Sequence, residues 1–368
     1  MTDLGGFPQK QLQRGGNVVF GALDWGLGHA TRSVPLLKYI LQKGGQVSIA
    51  ASGPTAELLK YECPGAEFLD LPGYGITYPG QRGSFRSHLF RQLPKIRRAI
   101  RKEGEWLRQA QGKGRWSLVI SDNRYGFRLP GVPSIILTHQ LAPISGMGEP
   151  ADRLFSRILY HYIGRFTECW VPDLAEEPSL AGRLSHPPQL PGVPVRYIGL
   201  LSRFAPTPSS DGSDLLFLLS GPEPQRSILE KMIRDQWSNL PGRKVLVRGK
   251  PGESDLKDLP EGTRVFNLVS SSELSELIAG AGSIVCRPGY STLMDLVRLG
   301  KRALLIPTPG QTEQEYLADR CVELGGFHAM RQDRQDLVSA LSAMPVAAAP
   351  SYPEAFNGFK NAVDAFVM

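Results

Sequence analysis

The sequence has no long hydrophobic run and no secretory signal, and these absences exclude membrane-spanning and exported proteins. None of its apolar stretches approaches the roughly 20 consecutive apolar residues that a transmembrane helix needs. Residues 1–16 are polar and glycine-rich and lack the apolar core of a signal peptide. With 41% hydrophobic and 21% charged residues, the composition is that of a soluble globular protein. We therefore expect a disordered leader over 1–16 and a cytoplasmic protein.

Cysteine is scarce, and its spacing excludes a zinc site and a disulfide framework. The chain has four cysteines, which show neither Cys-x-x-Cys spacing nor a matching histidine pair. We interpret them as ordinary reduced thiols. They are Cys63, Cys169, Cys286 and Cys321. The sequence also has no Asp-x-Asp motif through which a metal could hold a diphosphate. No metal site is predicted.

The chain is long enough for two domains. Its 368 residues exceed one ordinary hydrophobic core, so we predict two domains with a cleft between them. Short β-branched or apolar runs alternate with helical-period segments, a pattern typical of parallel sheets covered by helices on both faces. The predicted fold class is therefore α/β, with two Rossmann-like domains. The predicted strands are 17–23, 46–51, 67–71, 117–121, 134–138, 195–198, 215–219, 244–248, 264–267, 283–286 and 303–306.

Two polar, proline-containing segments interrupt the alternation between the two halves. They read PPQLPGVPV and APTPSSDGS, which is typical of an interdomain connection. We predict an N-terminal domain over 17–194 and a C-terminal domain over 195–351. The last segment, 352–368, is predicted to be a helix that packs back toward the N-terminal domain.

Positive charge is in excess, which indicates an anionic partner. The formal charge is +7 and the pI is near 9.2, which fits a nucleic acid, a phosphorylated substrate or an acidic membrane surface. In Phe85–Gln109, apolar residues at helical spacing lie opposite a row of Lys and Arg. This pattern fits peripheral contact with an anionic membrane, and equally an ordinary surface helix that Pro94 divides or kinks. No base-stacking motif is recognisable, so nucleic acid is not predicted.

A glycine-rich segment, 24–32, follows the first predicted strand, where open α/β sheets place their ligands. Gly26 and Gly28 permit close backbone approach, and the N–H groups of the following helix favour an anion. The third glycine of a dinucleotide fingerprint is missing and no acidic residue ends the second strand, so a dehydrogenase is disfavoured. His29 is our candidate general base. The alternative is that it only bonds backbone or phosphate.

Two further polar residues follow predicted strands of the first half. A carboxylate at Asp122 can hold the tautomer of His29 and stabilise the imidazolium that forms when His29 accepts a proton. The alternative for Asp122 is a helix cap or turn residue. His139, which comes after the following strand, is predicted to line the same cleft.

The second half carries two consecutive motifs at strand ends, 286–296 and 307–318. In the first, a glycine turn precedes Ser291 and Thr292 at a helix start, which supplies N–H and hydroxyl donors for a diphosphate without a metal. Asp295, one turn further on, can accept hydrogen bonds from both ribose hydroxyls. A generic strand-to-helix turn would explain these residues singly, but not the second motif at the next strand end.

This pair of motifs resembles the MurG-like glycosyltransferases of family 28, which have the GT-B fold. The resemblance extends over nearly the whole chain from about Asn17 and is strongest over 284–318. It implies that the first domain binds an acceptor and the second a UDP-sugar, with no cofactor. Gly26, Gly28 and His139 are placed on the acceptor side. The donor-binding residues that it implies, with the uracil near 267–269, are Ser220, Gly221, Arg226, Gly289, Tyr290, Ser291, Thr292, Asp295, Gln314 and Glu315.

The chain departs from the family pattern in three places. The family's paired glutamine is Gln314-Glu315 here, its acidic ribose residue is Asp rather than Glu, and the first loop reads GLGH where the peptidoglycan enzyme has a longer glycine run. The resemblance implies transfer of a sugar to a hydroxyl acceptor, and because of these departures the sugar is N-acetylglucosamine or another hexose. The basic segment would suit a lipid-linked acceptor at the inner face of a membrane.

The predicted mechanism is metal-independent displacement at the anomeric carbon with inversion. His29, oriented by Asp122, removes the acceptor proton, while the Ser291/Thr292 helix start and the Ser220 loop stabilise the departing nucleoside diphosphate. Two alternatives stay open at this point. A sugar-nucleotide epimerase of the same fold would convert the donor with no acceptor present, and a non-catalytic protein would bind the nucleotide-sugar and turn over nothing.

Overall fold

The computed structural model describes residues 16–367, except for residues 25, 75–84, 113–114, 207–211, 213, 222, 251–262 and 335. The predicted leader lies outside the described residues apart from residue 16. Two parallel sheets form the frame of the molecule. The first is built from β1 (Asn17–Ala22), β2 (Gln46–Ala51), β3 (Glu67–Asp70), β4 (Leu118–Asp122), β5 (Ser134–Leu137), β6 (Glu168–Val171) and β7 (Val195–Tyr197). The second is built from β8 (Asp214–Leu218), β9 (Lys244–Val247), β10 (Arg264–Phe266), β11 (Ala281–Cys286), β12 (Ala303–Leu305) and β13 (Phe327–Ala329).

Both sheets have the strand order of doubly wound α/β domains. The first sheet runs β3-β2-β1-β4-β5-β6-β7 and the second β10-β9-β8-β11-β12-β13. Strands β1, β4 and β5 are almost entirely buried, as expected when helices cover both faces. The helices are α1 (Gly28–Gln42), α2 (Gly53–Glu62), α3 (Phe85–Gln111), α4 (Glu149–Ile163), α5 (Gln225–Asp235), α6 (Ser271–Ala279), α7 (Tyr290–Arg298), α8 (Thr312–Leu324), α9 (Leu337–Ser342) and α10 (Gly358–Val367).

The connection between the domains lies later than the sequence predicts. The predicted boundary at 194 assigns strand 195–198 to the second domain, whereas β7 pairs with β6 of the first sheet, with Cys169 opposite Val195. The proline-rich stretch before β7 is therefore a crossover within the first domain. The segment between Tyr197 and Asp214 carries the chain to the second sheet.

The last helix returns to the first domain. The Tyr39 hydroxyl of α1 donates to the Asp364 carboxylate of α10 at 2.9 Å, and the Tyr39 and Phe359 rings meet edge to face at 5.8 Å. Phe366 packs against the buried Trp170 of β6. The C-terminal segment thus completes the core beside α1, the helix that begins at Gly28.

The basic segment forms one helix, α3, that contains Pro94. Leu107 is buried against Trp116 and Phe127 in a cluster on the first sheet, while the Lys and Arg side chains from 95 to 108 are exposed. In this half of the helix the apolar stripe therefore packs on the protein's own sheet. No helix within the described residues is both long and apolar enough to cross a membrane. Peripheral membrane contact stays a prediction.

Candidate active site

The starts of α1 and α7 face each other across the cleft. The Ser291 hydroxyl donates to the Gly28 carbonyl at 2.7 Å, and a Cβ added at Gly28 would come within 3.2 Å of Ser291 Oγ. Gly26 has φ +84°, a left-handed conformation that favours glycine. The two predicted loops therefore meet, and an atom placed between them would contact both domains.

The predicted pair of His29 and Asp122 is brought together at the end of β4. His29 Nδ1 lies 2.8 Å from Asp122 Oδ1. An ionised carboxylate only accepts hydrogen bonds, so Nδ1 carries the proton and Nε2 keeps its lone pair. Among the described residues Nε2 has no hydrogen-bond partner, and the imidazole is 16% exposed. This is the arrangement of a base that is oriented on one side and open to a substrate on the other.

Arg32, which the sequence reasoning left without a role, holds the same carboxylate. Its Nε donates to Asp122 Oδ2 at 2.8 Å, Nη2 donates to Oδ1, and Ser33 adds a hydroxyl donor at 3.1 Å. Burial would raise the pKa of Asp122, but the charges of Arg32 and His29 outweigh it and hold that pKa well below its usual value. Asp122 is therefore ionised at physiological pH.

His139 lies behind this pair and connects it to the second domain. Arg32 Nη1 is 3.1 Å from His139 Nδ1. Because a guanidinium only donates, Nδ1 accepts, and Nε2–H of a neutral imidazole donates to Glu313 Oε1 at 2.8 Å. Burial lowers the pKa of His139, against the pull of Glu313, which agrees with the neutral form. His139 is 4% exposed, and its ring stacks on Tyr290 at 4.2 Å.

The predicted phosphate and ribose residues surround the start of α7. Gly289 precedes the helix, and Ser291 and Thr292 occupy its first turn. Asp295 is 8% exposed and accepts a hydrogen bond from Ser202 Oγ at 2.5 Å. Burial raises the pKa of Asp295 to about 6, although the nearby Arg203 acts against the shift. Asp295 is therefore buried against the segment that connects the two domains.

Tyr290, which the resemblance assigns to donor binding, makes a contact between the two domains. Its hydroxyl donates to the Pro172 carbonyl of the first domain at 2.7 Å, and the side chain is 3% exposed. The ring also supports His139. In this arrangement Tyr290 joins the first domain to the start of α7, and its phenol does not face the open cleft.

Neighbouring side chains at the start of α8 contact two different parts of the molecule. Gln314 Oε1 accepts from the Thr308 N–H at 2.8 Å, and Glu315 Oε1 accepts from the Gly310 N–H at 3.0 Å, so both brace the preceding turn. Glu313 instead reaches His139 across the cleft. Sequence reasoning missed Glu313 because the motif does not reveal which face of α8 meets the other domain.

The loop after β8 is exposed at Ser220 and Gly221, and Gly221 has φ +94°. Arg226, at the start of α5, donates to Glu223 Oε1 at 2.8 Å and to the Gly249 carbonyl. Arg226 thus ties this loop to the end of β9. No group of three or more His, Cys, Asp or Glu side chains in the described part of the chain is arranged to hold a metal ion.

A segment of the second domain matches the model of a known family. Residues 230–348 match the model of the glycosyltransferase family 28 C-terminal domain. The match begins within α5 and covers most of the second domain. Both motifs that carry the predicted resemblance, 286–296 and 307–318, lie inside this match, so the resemblance is confirmed.

A curated protein is similar to more than half of this chain. The UDP-N-acetylglucosamine--N-acetylmuramyl-(pentapeptide) pyrophosphoryl-undecaprenol N-acetylglucosamine transferase of Paramagnetospirillum magneticum is 28% identical over 220 residues, which are 56% of this chain and 55% of that protein. The chain thus spans about half the length of this curated relative.

Solved structures show the fold of the chain as a whole. The calicheamicin glycosyltransferase CalG4 superposes with a TM-score of 0.61 at 16% identity, covering 90% of each chain. The glycotransferase of kitacinnamycin superposes with a TM-score of 0.60 at 18% identity, covering 97% of this chain and 96% of that one. Two Rossmann-like domains facing across a cleft form the GT-B fold, and the predicted fold class is confirmed.

Proposed function

We propose that the protein is an inverting, metal-independent glycosyltransferase that moves a hexose from a UDP-sugar to a hydroxyl acceptor. The observation that carries this proposal is the His29–Asp122 pair, with His29 Nε2 open, at a helix start that contacts Ser291 of the family 28 domain. A base and a diphosphate site on facing domains are the two requirements of direct displacement. The name of the curated relative supports N-acetylglucosamine as the sugar.

The proposed reaction proceeds in one displacement. His29 Nε2 removes the proton of the acceptor hydroxyl, and Asp122, which Arg32 holds in place, stabilises the imidazolium that forms. The hydroxyl oxygen attacks the anomeric carbon on the side opposite the diphosphate, which leaves with the electron pair of the broken C–O bond. The α7 N–H groups and the Ser291 and Thr292 hydroxyls stabilise the developing charge. Ser291 exchanges the Gly28 carbonyl for a phosphate oxygen.

The remaining residues complete the donor site in this proposal. Asp295 accepts from the ribose hydroxyls, and the loop at Ser220, Gly221 and Arg226 closes over the diphosphate. Gln314 offers its amide N–H groups to the sugar, since its oxygen is engaged by Thr308. The exposed cations of α3 support a lipid-linked acceptor met at the cytoplasmic face of a membrane.

Calorimetric titration with UDP, GDP and dTDP in the presence of a chelator tests the donor site. We expect binding of UDP that an Asp295→Ala variant loses, whereas binding that requires Mg²⁺ would contradict the metal-independent site. Incubation with UDP-N-acetylglucosamine then separates the reactions. Slow release of UDP, accelerated by a hydroxyl acceptor and lost in His29→Ala, supports a transferase, and conversion of the sugar without UDP release indicates an epimerase.

A further inference from the structure

Helix α8 of the second domain lies against the first domain along one face. Glu313 bonds His139 at 2.8 Å, the Tyr316 hydroxyl accepts from the Arg183 N–H at 2.9 Å, and Arg320 donates to the Ser179 carbonyl at 2.9 Å. Their spacing of three and four residues places the three side chains on one helical face. The contact with His139 places Glu313 behind the pair of His29 and Asp122.

A continuous series of hydrogen bonds joins Glu313 to His29. Glu313 accepts from His139, His139 accepts from Arg32, Arg32 donates to Asp122, and Asp122 accepts from His29. The elements that supply them are the start of α8, the end of β5, the first turns of α1 and the end of β4. Only the first member belongs to the second domain, so the series is complete only while the domains are together.

The series carries a net negative charge that compensates the positive charge formed on His29 during proton transfer. Asp122 and Glu313 each carry a negative charge, Arg32 carries a positive one, and the geometry requires a neutral His139. The sum is one negative charge, which the imidazolium of His29 cancels. Without Glu313 the same proton transfer would leave one uncompensated positive charge in a largely buried site, where charges interact more strongly than in water.

We propose that Glu313 and His139 are positioning residues that make His29 a competent base only when the second domain is docked. The inference rests on the proposed transferase and adds how its base is controlled. Neither residue needs to touch the substrate, since Glu313 acts through His139 and Arg32. Donor capture and base activation are thereby coupled, because α8 is also the helix that carries Gln314.

Direct contact of Glu313 with the donor sugar is the competing role, and kinetics separates the two. A sugar contact made equally in the ground state would raise KM for the donor when it is removed. A positioning residue lowers kcat and leaves donor binding unchanged. A residue that only joins the domains would behave as its neighbours on the same helical face do.

The experiment compares Glu313→Gln with Tyr316→Phe, a control on the same face that lies outside the series. Hydrolysis of UDP-N-acetylglucosamine gives kcat and KM, UDP titration gives affinity, and ¹H–¹⁵N spectra report the imidazole N–H protons of His29 and His139. For Glu313→Gln we expect kcat to fall about tenfold, part of the effect of general-base catalysis, with KM and UDP affinity unchanged. Both imidazole N–H resonances should shift. Tyr316→Phe should change none of these.

Three outcomes overturn the inference: a rise in KM with kcat preserved, an equal loss of kcat in both variants, or a shifted His139 resonance beside an unmoved His29 resonance. Failure of the proposed function is distinguishable. If wild-type protein neither binds UDP nor hydrolyses UDP-N-acetylglucosamine, the transferase assignment fails, while the spectra still decide whether Glu313 is coupled to His29.

Discussion

At the scale of single residues, the active-site prediction rests on one rule about parallel sheets and leaves out residues that this rule does not cover. Carboxyl ends of adjacent parallel strands lie at one sheet edge, and this rule brings Asp122 to His29. It does not extend to Arg32, whose sequence position gives no sign that its side chain is buried on Asp122. Nor does it reach Glu313, because its partner His139 is 174 positions distant and belongs to the other domain.

Asp122→Asn should damage both activity and stability. The amide can turn an N–H toward His29 and remove the tautomer control, so we expect kcat to fall by roughly 10²–10⁴. It also leaves the buried Arg32 without its counter-charge, which costs about 3–5 kcal/mol of unfolding free energy. Hydrolysis of the donor and urea denaturation measure the two effects.

His29→Ala is the matched variant for this prediction. It removes the base but keeps the pair of Arg32 and Asp122, so activity should be lost while most of the stability is kept. Equal destabilisation by the two substitutions would mean that His29 and Asp122 are a structural pair rather than a catalytic one.

The raised pKa of Asp295 predicts that the difference in stability between wild type and Asp295→Asn changes with pH. Its folded pKa of about 6 exceeds the unfolded value of about 3.9, so the folded state holds the proton more tightly between these values. Its contribution is therefore fully present below about pH 4 and is lost as pH rises through 6. Asp295→Asn does not titrate, so its stability relative to wild type should rise by roughly 2–3 kcal/mol from pH 4 to 7.

Denaturant unfolding of wild type and Asp295→Asn at pH 4, 5, 6 and 7 gives this difference directly. Taking the difference cancels the other titrating groups, which both proteins share. A difference that stays constant across the series would show that the pKa of Asp295 is not raised in the folded protein. Its surroundings would then be more polar than the contacts with Ser202 and Arg203 indicate.

At the scale of elements, the sequence predicts the alternation of strands and helices because most strands are apolar and buried. The two strands that the pattern misses are short. β6 begins with Glu168, which pairs with Arg196, and β13 has three residues beside α8. β7 was predicted as a strand but placed in the wrong sheet, since a three-residue strand carries no signal for its neighbour.

Ser291→Ala tests the start of α7 as a phosphate site. The hydroxyl that now bonds the Gly28 carbonyl would bond a phosphate oxygen on donor binding, and its loss should weaken UDP binding by about five- to tenfold, equivalent to one hydrogen bond of roughly 1 kcal/mol. Titration calorimetry measures the change. Ser342→Ala removes a hydroxyl from α9 that donates to the Val338 carbonyl of the same helix and should leave UDP affinity unchanged. Equal affinity in all three proteins would place the diphosphate elsewhere.

At the scale of the whole molecule, the sequence identifies two domains and a returning C-terminal helix, but the way the domains meet depends on individual side chains. Ser291 with Gly28, Tyr290 with Pro172 and Glu313 with His139 are contacts between residues far apart in the chain. No periodicity along one helix encodes its partner in another domain. The closed arrangement is therefore visible only in the structure.

The C-terminal helix makes the first domain depend on the end of the chain. Phe359 is 5% exposed and meets Tyr39 of α1, the helix that carries His29 at its start. Phe359→Ala leaves a cavity there and should cost about 3–5 kcal/mol of unfolding free energy. Tyr39→Phe keeps the ring and removes only the hydrogen bond to Asp364, so it should cost about 1 kcal/mol. Denaturant unfolding measures both costs, and hydrogen exchange reports the protection of the α1 amides. Equal protection of α1 in Phe359→Ala and wild type would show that the stability of α1 does not depend on its contact with Phe359.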